Sequence, residues 1–143
     1  MPSLVLPAES GDGHIWGRSG IYMTARATSS GSLDNATTFR VGQLNSFIDG
    51  YDCYRGCLAF DAGELPEDAT VTGALLRLYL AAETISSQES TVQVIPVSLG
   101  FPIASNREEN YDAILAAAGD TLGTIINTAT STAGSYYELE IPA

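Results

Sequence analysis

Apolar and polar positions alternate most clearly between Tyr54 and Leu80, in the stretch YRGCLAFDAGELPEDATVTGALLRLYL. The run Tyr54–Asp61 predicts one strand, and the residues from Leu65 to Asp68 supply a turn. A second strand is predicted over Val71–Leu80, where positions 76, 78 and 80 are leucine. A two-residue period bounded by Gly, Pro and Asp is typical of a strand with one buried face. The stretch therefore predicts an all-β fold.

Similar short runs predict further strands in the rest of the chain. They are Leu4–Leu6, Ile21–Ala27, Thr38–Leu44, Thr91–Val97, Leu122–Asn127 and Tyr136–Ile141. Residues 106–118 differ, because helix-forming residues there carry apolar spacing and Gly119 offers a stop, so they predict one short helix. Eight or so short strands with a single helix favour a two-sheet antiparallel β-sandwich of the jelly-roll type. Residues 1–143 would form it as one domain.

The charge balance narrows the choice of partners. The chain has a formal net charge of -11, and its six basic residues are all arginine. Nucleic acid and anionic membrane surfaces would repel it, so neither is expected to bind. Membrane insertion is not expected either, because no segment approaches the roughly 18 consecutive apolar residues that a span needs. The N-terminal seven residues lack the basic region of a secretory signal, which leaves the cytoplasm or a virus particle assembled there as the expected setting.

Cys53 and Cys57 lie four residues apart on one predicted strand. At about 3.3 Å per residue their Cα atoms would be roughly 13 Å apart, whereas a disulfide needs about 7 Å or less. With His14 as the one histidine of the chain, this pair is also a weak metal site. We therefore expect two buried free thiols.

The stretch over residues 55–79 resembles the disaggregatase-related repeat, or DNRLRE-type, domain. That family shares the pattern R-x-x-L-x-F-D-x-x-x-L-P-x-x-A-x-V-x-x-A-x-L-x-L-Y. The residues that match it in order are Arg55, Leu58, Phe60, Asp61, Leu65, Pro66, Ala69, Val71, Ala74, Leu76, Leu78 and Tyr79. The resemblance implies a jelly roll similar to carbohydrate-binding modules. Such domains occur on cell-surface proteins and in tailed-phage virion proteins.

Two departures from the family accompany this resemblance. The usual N-terminal strand with an A-D-x-Y pattern has no clear counterpart, and His14-Ile15-Trp16 is part of the nearest stretch. Related chains also usually continue by one or more strands beyond the equivalent of residues 137–141. The chain then either lacks its last strands, closes the fold early, or receives a strand from a partner. An open sheet edge would be a site for strand addition.

Three groups of residues are candidate sites. The family-motif residues Arg55, Phe60, Asp61, Leu65 and Pro66 are expected to be structural, with Asp61 accepting backbone N–H groups at a strand end. The carboxylates of Glu9, Asp12, Asp49 and Asp52 allow a calcium site, although the spacing is not that of an EF-hand. The aromatic residues Trp16, Tyr22, Tyr51 and Tyr54 are candidates for stacking on a sugar, with core packing as the alternative. Trp16, the only tryptophan, is the best candidate among them.

Catalysis finds little support in the sequence. A Ser-His-Asp arrangement would have to use His14, no G-x-S-x-G elbow exists, and a phosphate loop would need a lysine. We therefore expect a non-enzymatic virion structural or adhesion module, such as a phage head decoration, fibre or tail appendage. It would form a homo-oligomer or bind other virion proteins through sheet faces and loops. The alternative is a carbohydrate-binding module that recognises a cell-surface glycan outside the cell.

Overall fold

The computed structural model describes residues 4–6, 12–34, 38–46, 48, 50–63, 65–82 and 90–142. The elements in chain order are β1 (Gly13–Ser19), α1 (Tyr22–Ala27), β2 (Gly31–Asp34), β3 (Gly42–Ser46), β4 (Gly50–Cys57), β5 (Ala74–Leu80), β6 (Thr91–Val94), α2 (Arg107–Ala116), β7 (Gly123–Asn127) and β8 (Ser135–Ile141). All strand pairs in these ranges are antiparallel. This confirms a mainly β fold built from antiparallel sheets. The sheets are small, with four, two and two strands.

The chain divides into two compact units, which are described separately. The first comprises Met1–Glu67 and Val97–Ala116, and the second comprises Asp68–Pro96 and Ala117–Ala143.

The first unit contains a four-stranded sheet in the order β2-β1-β4-β3. The buried cluster on one side of this sheet combines Ile15 of β1 and Cys57 of β4 with Ile103 and with Tyr111 of α2. Because side chains alternate along a strand, burial of Ile15 places His14, Trp16 and Arg18 on the opposite face. The register of β1 with β4 sets Trp16 opposite Tyr54 and Arg18 opposite Asp52. One face of the sheet is therefore packed against helices, and the other carries aromatic and charged side chains.

Two predictions about the segment that forms α1 were wrong. Ile21–Ala27 was expected to be a strand, and only one helix was expected. The structure instead forms a helical turn in which the Ala25 N–H bonds to the Ile21 carbonyl at 3.0 Å. Alternation over so few residues cannot distinguish a strand from a helix, and Met, Ala and Arg favour the helix. Tertiary packing also stabilises this helix, because Ala25 is fully buried and its carbonyl accepts a hydrogen bond from the Tyr111 hydroxyl at 2.7 Å.

Other boundaries differ from the prediction as well. Leu4–Leu6 forms no strand, whereas β1 and β2 form where no strand was predicted. The strand predicted over Tyr54–Asp61 runs earlier in the chain, as β4. By contrast, α2 confirms the helix predicted within 106–118, and β7 and β8 confirm the last two strands.

The second unit contains two separate strand pairs, β5 with β8 and β6 with β7. On β5 the predicted alternation is confirmed, because Leu76 is buried while its neighbours Leu75 and Arg77 are exposed. Arg77 lies directly opposite Glu138 of β8 and forms a salt bridge with it at 3.2 Å. The pair β6–β7 changes register between Val92 and Gln93, which indicates a bulge.

Cys53 and Cys57 are both buried and neither forms a disulfide. The expectation of two buried free thiols is therefore confirmed. Burial raises the pKa of the Cys53 thiol and the nearby Arg55 opposes this shift, so Cys53 is disfavoured as a reactive thiolate.

We predict that Gly17→Ala destabilises the protein far more than Gly20→Ala does. A Cβ at Gly17 would overlap the carbonyl oxygens of Ala25 and Thr28 and lie 2.7 Å from the Tyr111 hydroxyl, whereas one at Gly20 would meet nothing within 4 Å. Overpacking of this kind costs about 1–3 kcal/mol. Urea unfolding of the two variants measures the difference, and equal free energies of unfolding would contradict the close packing of α1 on β1.

Candidate functional site

The helix-free face of the four-stranded sheet holds a surface depression of about 410 Å³. The residues that line it are His14, Trp16, Arg18, Leu33, Thr38, Arg40 and Tyr54. They come from β1, β2, β4 and the residues before β3, so the strand register brings together parts of the chain that are distant in sequence. We call this surface the aromatic face. Its volume is in the range of small-molecule sites, about 300–1,000 Å³.

Three rings form the centre of the aromatic face. The ring centroids of His14 and Trp16 are 5.7 Å apart, as are those of His14 and Tyr54. The rings of Trp16 and Tyr54 are 6.2 Å apart and inclined by 36°. Tilted and edge-on contacts at such distances are the favoured geometries of aromatic pairs, so the rings hold one another in place. Trp16 and Tyr54 both remain partly exposed.

Gly31 gives the Trp16 indole its position. These two residues are direct partners in the pairing of β1 with β2. A Cβ on Gly31 would overlap the indole, coming within 2.6 Å of Cε2. The ring therefore lies across the backbone of β2, in space that only a glycine leaves open. This contact fixes the indole against the sheet.

A bidentate ion pair borders the rings. The Arg18 guanidinium donates to the Asp52 carboxylate through Nε at 2.6 Å and through Nη2 at 2.8 Å, and the Tyr54 hydroxyl lies 3.2 Å from the same carboxylate. The hydrogen bonds from Arg18 lower the pKa of the Asp52 carboxyl; burial opposes this, and Tyr54 adds to the lowering. Asp52 is thus ionised at neutral pH and orients both Arg18 and Tyr54.

His14 is uncharged at neutral pH in this environment. Burial lowers the pKa of the imidazole, and the positive charge of Arg40 lowers it further. Its Nδ1 accepts a long hydrogen bond of 3.4 Å from the Arg40 backbone N–H. The neutral ring then carries its proton on Nε2, which is the nitrogen left to donate.

The four predicted aromatic residues fall into two separate pairs. Trp16 and Tyr54 meet on the aromatic face. Tyr22 of α1 instead makes an edge-on contact with Tyr51 of β4, with 5.6 Å between the ring centroids. Tyr51 and Tyr54 are three residues apart on one strand, so their side chains leave opposite faces of the sheet. The pair Tyr22–Tyr51 therefore belongs to the helix-covered side.

The predicted calcium ligands are not gathered in one place. Glu9 and Asp49 lie outside the described residues. Asp12 precedes β1 and Asp52 faces Arg18 near its other end, six residues or about 20 Å away along the strand. Asp12 accepts a hydrogen bond from the Ala59 N–H at 2.7 Å. No group of three or more His, Cys, Asp or Glu side chains that could hold a metal ion occurs in the part of the chain that the structure describes.

The family-motif residues take structural positions. The Arg55 guanidinium donates to the carbonyls of Tyr111 at 2.9 Å and Arg26 at 2.7 Å. Asp61 accepts the Gly63 N–H at 2.7 Å, so its carboxylate accepts a backbone N–H as expected, although β4 ends four residues earlier at Cys57. Phe60 is largely exposed, and Leu65 donates its N–H to the Ala62 carbonyl ahead of Pro66.

Several residues of the aromatic face were not among the predicted site residues, notably His14, Arg18 and Arg40. The sequence HIWGR could have indicated His14 and Arg18, because Ile15 and Gly17 alternate with three larger polar or aromatic residues that would share the other face of a strand. Arg40 has no such signal, because only the fold brings it beside His14.

No known protein family, curated protein or solved structure matches the chain. None of the helices among the described residues is long and apolar enough to cross a membrane.

We predict opposite pH dependence for two carboxylate variants. The pKa of Asp52 is depressed below the ordinary 3.8, so its pairing with Arg18 stabilises the fold above that pH and this contribution is lost as pH falls through the depressed value. Asp52→Asn should lower the free energy of unfolding by about 1 kcal/mol at pH 7 and by less at pH 3. The loss at pH 7 is small because Arg18 is half-exposed and solvent screens the ion pair.

Asp12→Asn is the matched control. Burial raises the pKa of the Asp12 carboxyl, and the hydrogen bond from the Ala59 N–H opposes this shift. Because burial disfavours the carboxylate, ionisation of Asp12 lowers the free energy of unfolding as pH rises. Relative to the unchanged protein, this variant should gain stability between pH 3 and pH 7. Urea unfolding at both pH values measures both variants, and the same sign of pH dependence for the two would contradict the assigned environments.

Proposed function

We propose that the protein is a non-enzymatic carbohydrate-binding module whose ligand stacks on the aromatic face. The observation that carries the proposal is the meeting of Trp16, Tyr54 and His14 in one open depression. An indole ring presents a flat apolar surface that complements the apolar face of a pyranose. The ring is held against Gly31, so little side-chain freedom is lost when a sugar binds.

The polar groups around the rings support the same ligand class. A sugar needs hydrogen-bond partners for its hydroxyls at the edge of the stacked face. Arg18 is half-exposed while its Nε and Nη2 are held by Asp52, and Thr38, which also lines the depression, is exposed. Groups that are fixed before binding give specificity at low entropic cost.

We also propose that the fold is a jelly-roll sandwich. Short antiparallel strands and the motif over residues 55–79 support a jelly-roll sandwich similar to DNRLRE-type domains. Such a module would act at a cell surface or outside the cell. One sandwich fold hosts many activities, so the proposal is based on the aromatic face rather than on the fold.

We predict that Trp16→Ala abolishes glycan binding while the protein remains folded. A central aromatic contributes about 2 kcal/mol or more to an interface, so affinity should fall by about thirtyfold or below detection. A glycan array identifies the ligand, and isothermal titration measures the affinity. Circular dichroism verifies that the variant is folded.

Tyr22→Ala is the matched control, because it removes an aromatic ring of the same unit from the helix-covered side. It should retain affinity within about twofold. Absence of glycan binding by the unchanged protein, or equal losses for Trp16→Ala and Tyr22→Ala, would contradict the proposal.

A second candidate function, a virion assembly module, is favoured by the edge of the same sheet. β3 is an edge strand of the four-stranded sheet, and Leu44 within it is 43% exposed. Val41 precedes the strand and Ile48 follows it, and both are exposed as well. An edge strand with an exposed apolar side chain is a template for pairing with another strand, so the partner proposed here is a second copy of this chain.

We predict that, if the chain assembles through this edge, Leu44→Lys converts the oligomer to a monomer. A charge on an edge strand opposes strand addition. Light scattering coupled to size exclusion measures the native mass. Leu75→Lys, which changes an exposed leucine of the second unit, should leave the oligomer intact. A monomeric unchanged protein would remove this second candidate.

A further inference from the structure

We propose that the sugar bound on the aromatic face is anionic and that its carboxylate or sulfate pairs with the guanidinium of Arg40. This inference rests on the proposed function and narrows its ligand class. It follows from how the charges on the aromatic face are arranged.

Arg40 is placed at the rim of the depression. Its Cζ lies 5.6 Å from the centroid of the Tyr54 ring, and its backbone N–H donates to His14. Its side chain is exposed. Within the described residues, Arg40 forms no salt bridge with a carboxylate, unlike Arg18, Arg77 and Arg107. The guanidinium therefore lies beside the proposed stacking surface with its charge not neutralised by a direct partner.

Arg18 shows the contrasting arrangement. Its charge is compensated by Asp52 through two short hydrogen bonds. Among the described residues near the rings, two guanidinium groups, those of Arg18 and Arg40, face the single carboxylate of Asp52, which leaves one positive charge in excess. His14 adds none at neutral pH, since burial and Arg40 both lower the pKa of its imidazole. The excess charge on this face is thus assigned to Arg40.

The chemistry of guanidinium specifies the ligand group. Its planar fork matches the two oxygens of a carboxylate or sulfate in bidentate hydrogen bonds. A ring seated on Trp16 and Tyr54 would place a substituent at its edge within reach of the rim. A uronic acid carries a carboxylate at that edge, and a sulfated sugar carries a sulfate ester there.

The net charge of -11 distinguishes binding through a local positive group from non-specific attraction between opposite charges. A chain this acidic repels polyanions, and at physiological ionic strength this repulsion acts within about 8 Å of the surface, where a bound ligand would lie. Binding of an acidic sugar therefore requires a local positive group, so non-specific charge attraction cannot produce it. Arg40 is the group that the aromatic face offers.

Fluorescence of Trp16 provides a direct measurement, because it is the only tryptophan in the chain and lies in the site. The probes are short uronic acid oligosaccharides of several backbones, each compared with its own uncharged methyl ester. A second set pairs sulfated oligosaccharides with their desulfated forms. The uronate and sulfate sets distinguish the two sources of negative charge.

We expect at least one acidic probe to bind about tenfold more tightly than its neutral partner, as hydrogen bonds to a charged group predict. Arg40→Gln should remove this preference, so that acidic and neutral probes bind this variant equally. Arg40→Lys, which keeps the charge but loses the fork, should restore part of it. Arg26→Gln loses the same charge from α1 on the helix-covered side and should leave the preference unchanged.

The outcomes separate this inference from the proposed function. If neutral and acidic probes bind equally and Trp16→Ala abolishes both when followed by isothermal titration, the module binds glycans and the anionic preference is wrong. If Arg26→Gln weakens acidic binding as much as Arg40→Gln does, the effect is not specific to the rim of the aromatic face and the assignment to Arg40 is overturned. If no probe of either set binds and the glycan array is also empty, both proposals fail.

Discussion

Arg55 projects from β4 into the layer between the sheet and the helices of the first unit. Its guanidinium donates to the backbone of α2 at Tyr111 and to the backbone of α1 at Arg26, and its Cζ lies 3.5 Å from the centroid of the Tyr111 ring. The Tyr111 hydroxyl in turn donates to Ala25. A partly buried guanidinium without partners would be costly, so these contacts hold both helices on the same side of the sheet. The opposite side is left for the aromatic face.

The aromatic face then depends on strand register. A shift of one residue in β1 would exchange its two faces, placing His14 and Trp16 against the helices. Ile15 prevents this because it is fully buried in the core cluster, and Gly17 prevents it because a larger residue would collide with α1. The same register sets Trp16 over Gly31 and Arg18 opposite Asp52. The packing that stabilises one face therefore also positions the groups of the other.

How far the sequence predicts this structure depends on which residues face inward. The leucines of β5 made its strand evident, and α2 was evident from its helix formers and apolar spacing. β1 was not predicted because its inward residues are Gly, Ile, Gly and Ser, which give a weak apolar pattern. α1 was not predicted because six residues are too few for their period to be decisive. Trp16 was predicted as a ligand residue because it is an aromatic residue and the only tryptophan in the chain. Its proximity to Tyr54, and the place of Arg18 and Arg40 beside it, follow from cross-strand neighbours that no local pattern encodes.

The two arginines near the rings show how one residue type serves different purposes in one site. Arg18 is neutralised by Asp52, so it contributes shape and orientation, whereas Arg40 retains its charge at the rim. If the aromatic face binds an acidic sugar, as we propose, this arrangement on an acidic chain would limit attraction to ligands that can also reach the rings. A ligand with charge but no stacking surface would be repelled by the remainder of the chain, and one with a stacking surface but no charge would gain nothing from Arg40. Selectivity on the aromatic face would then come from requiring both features at once.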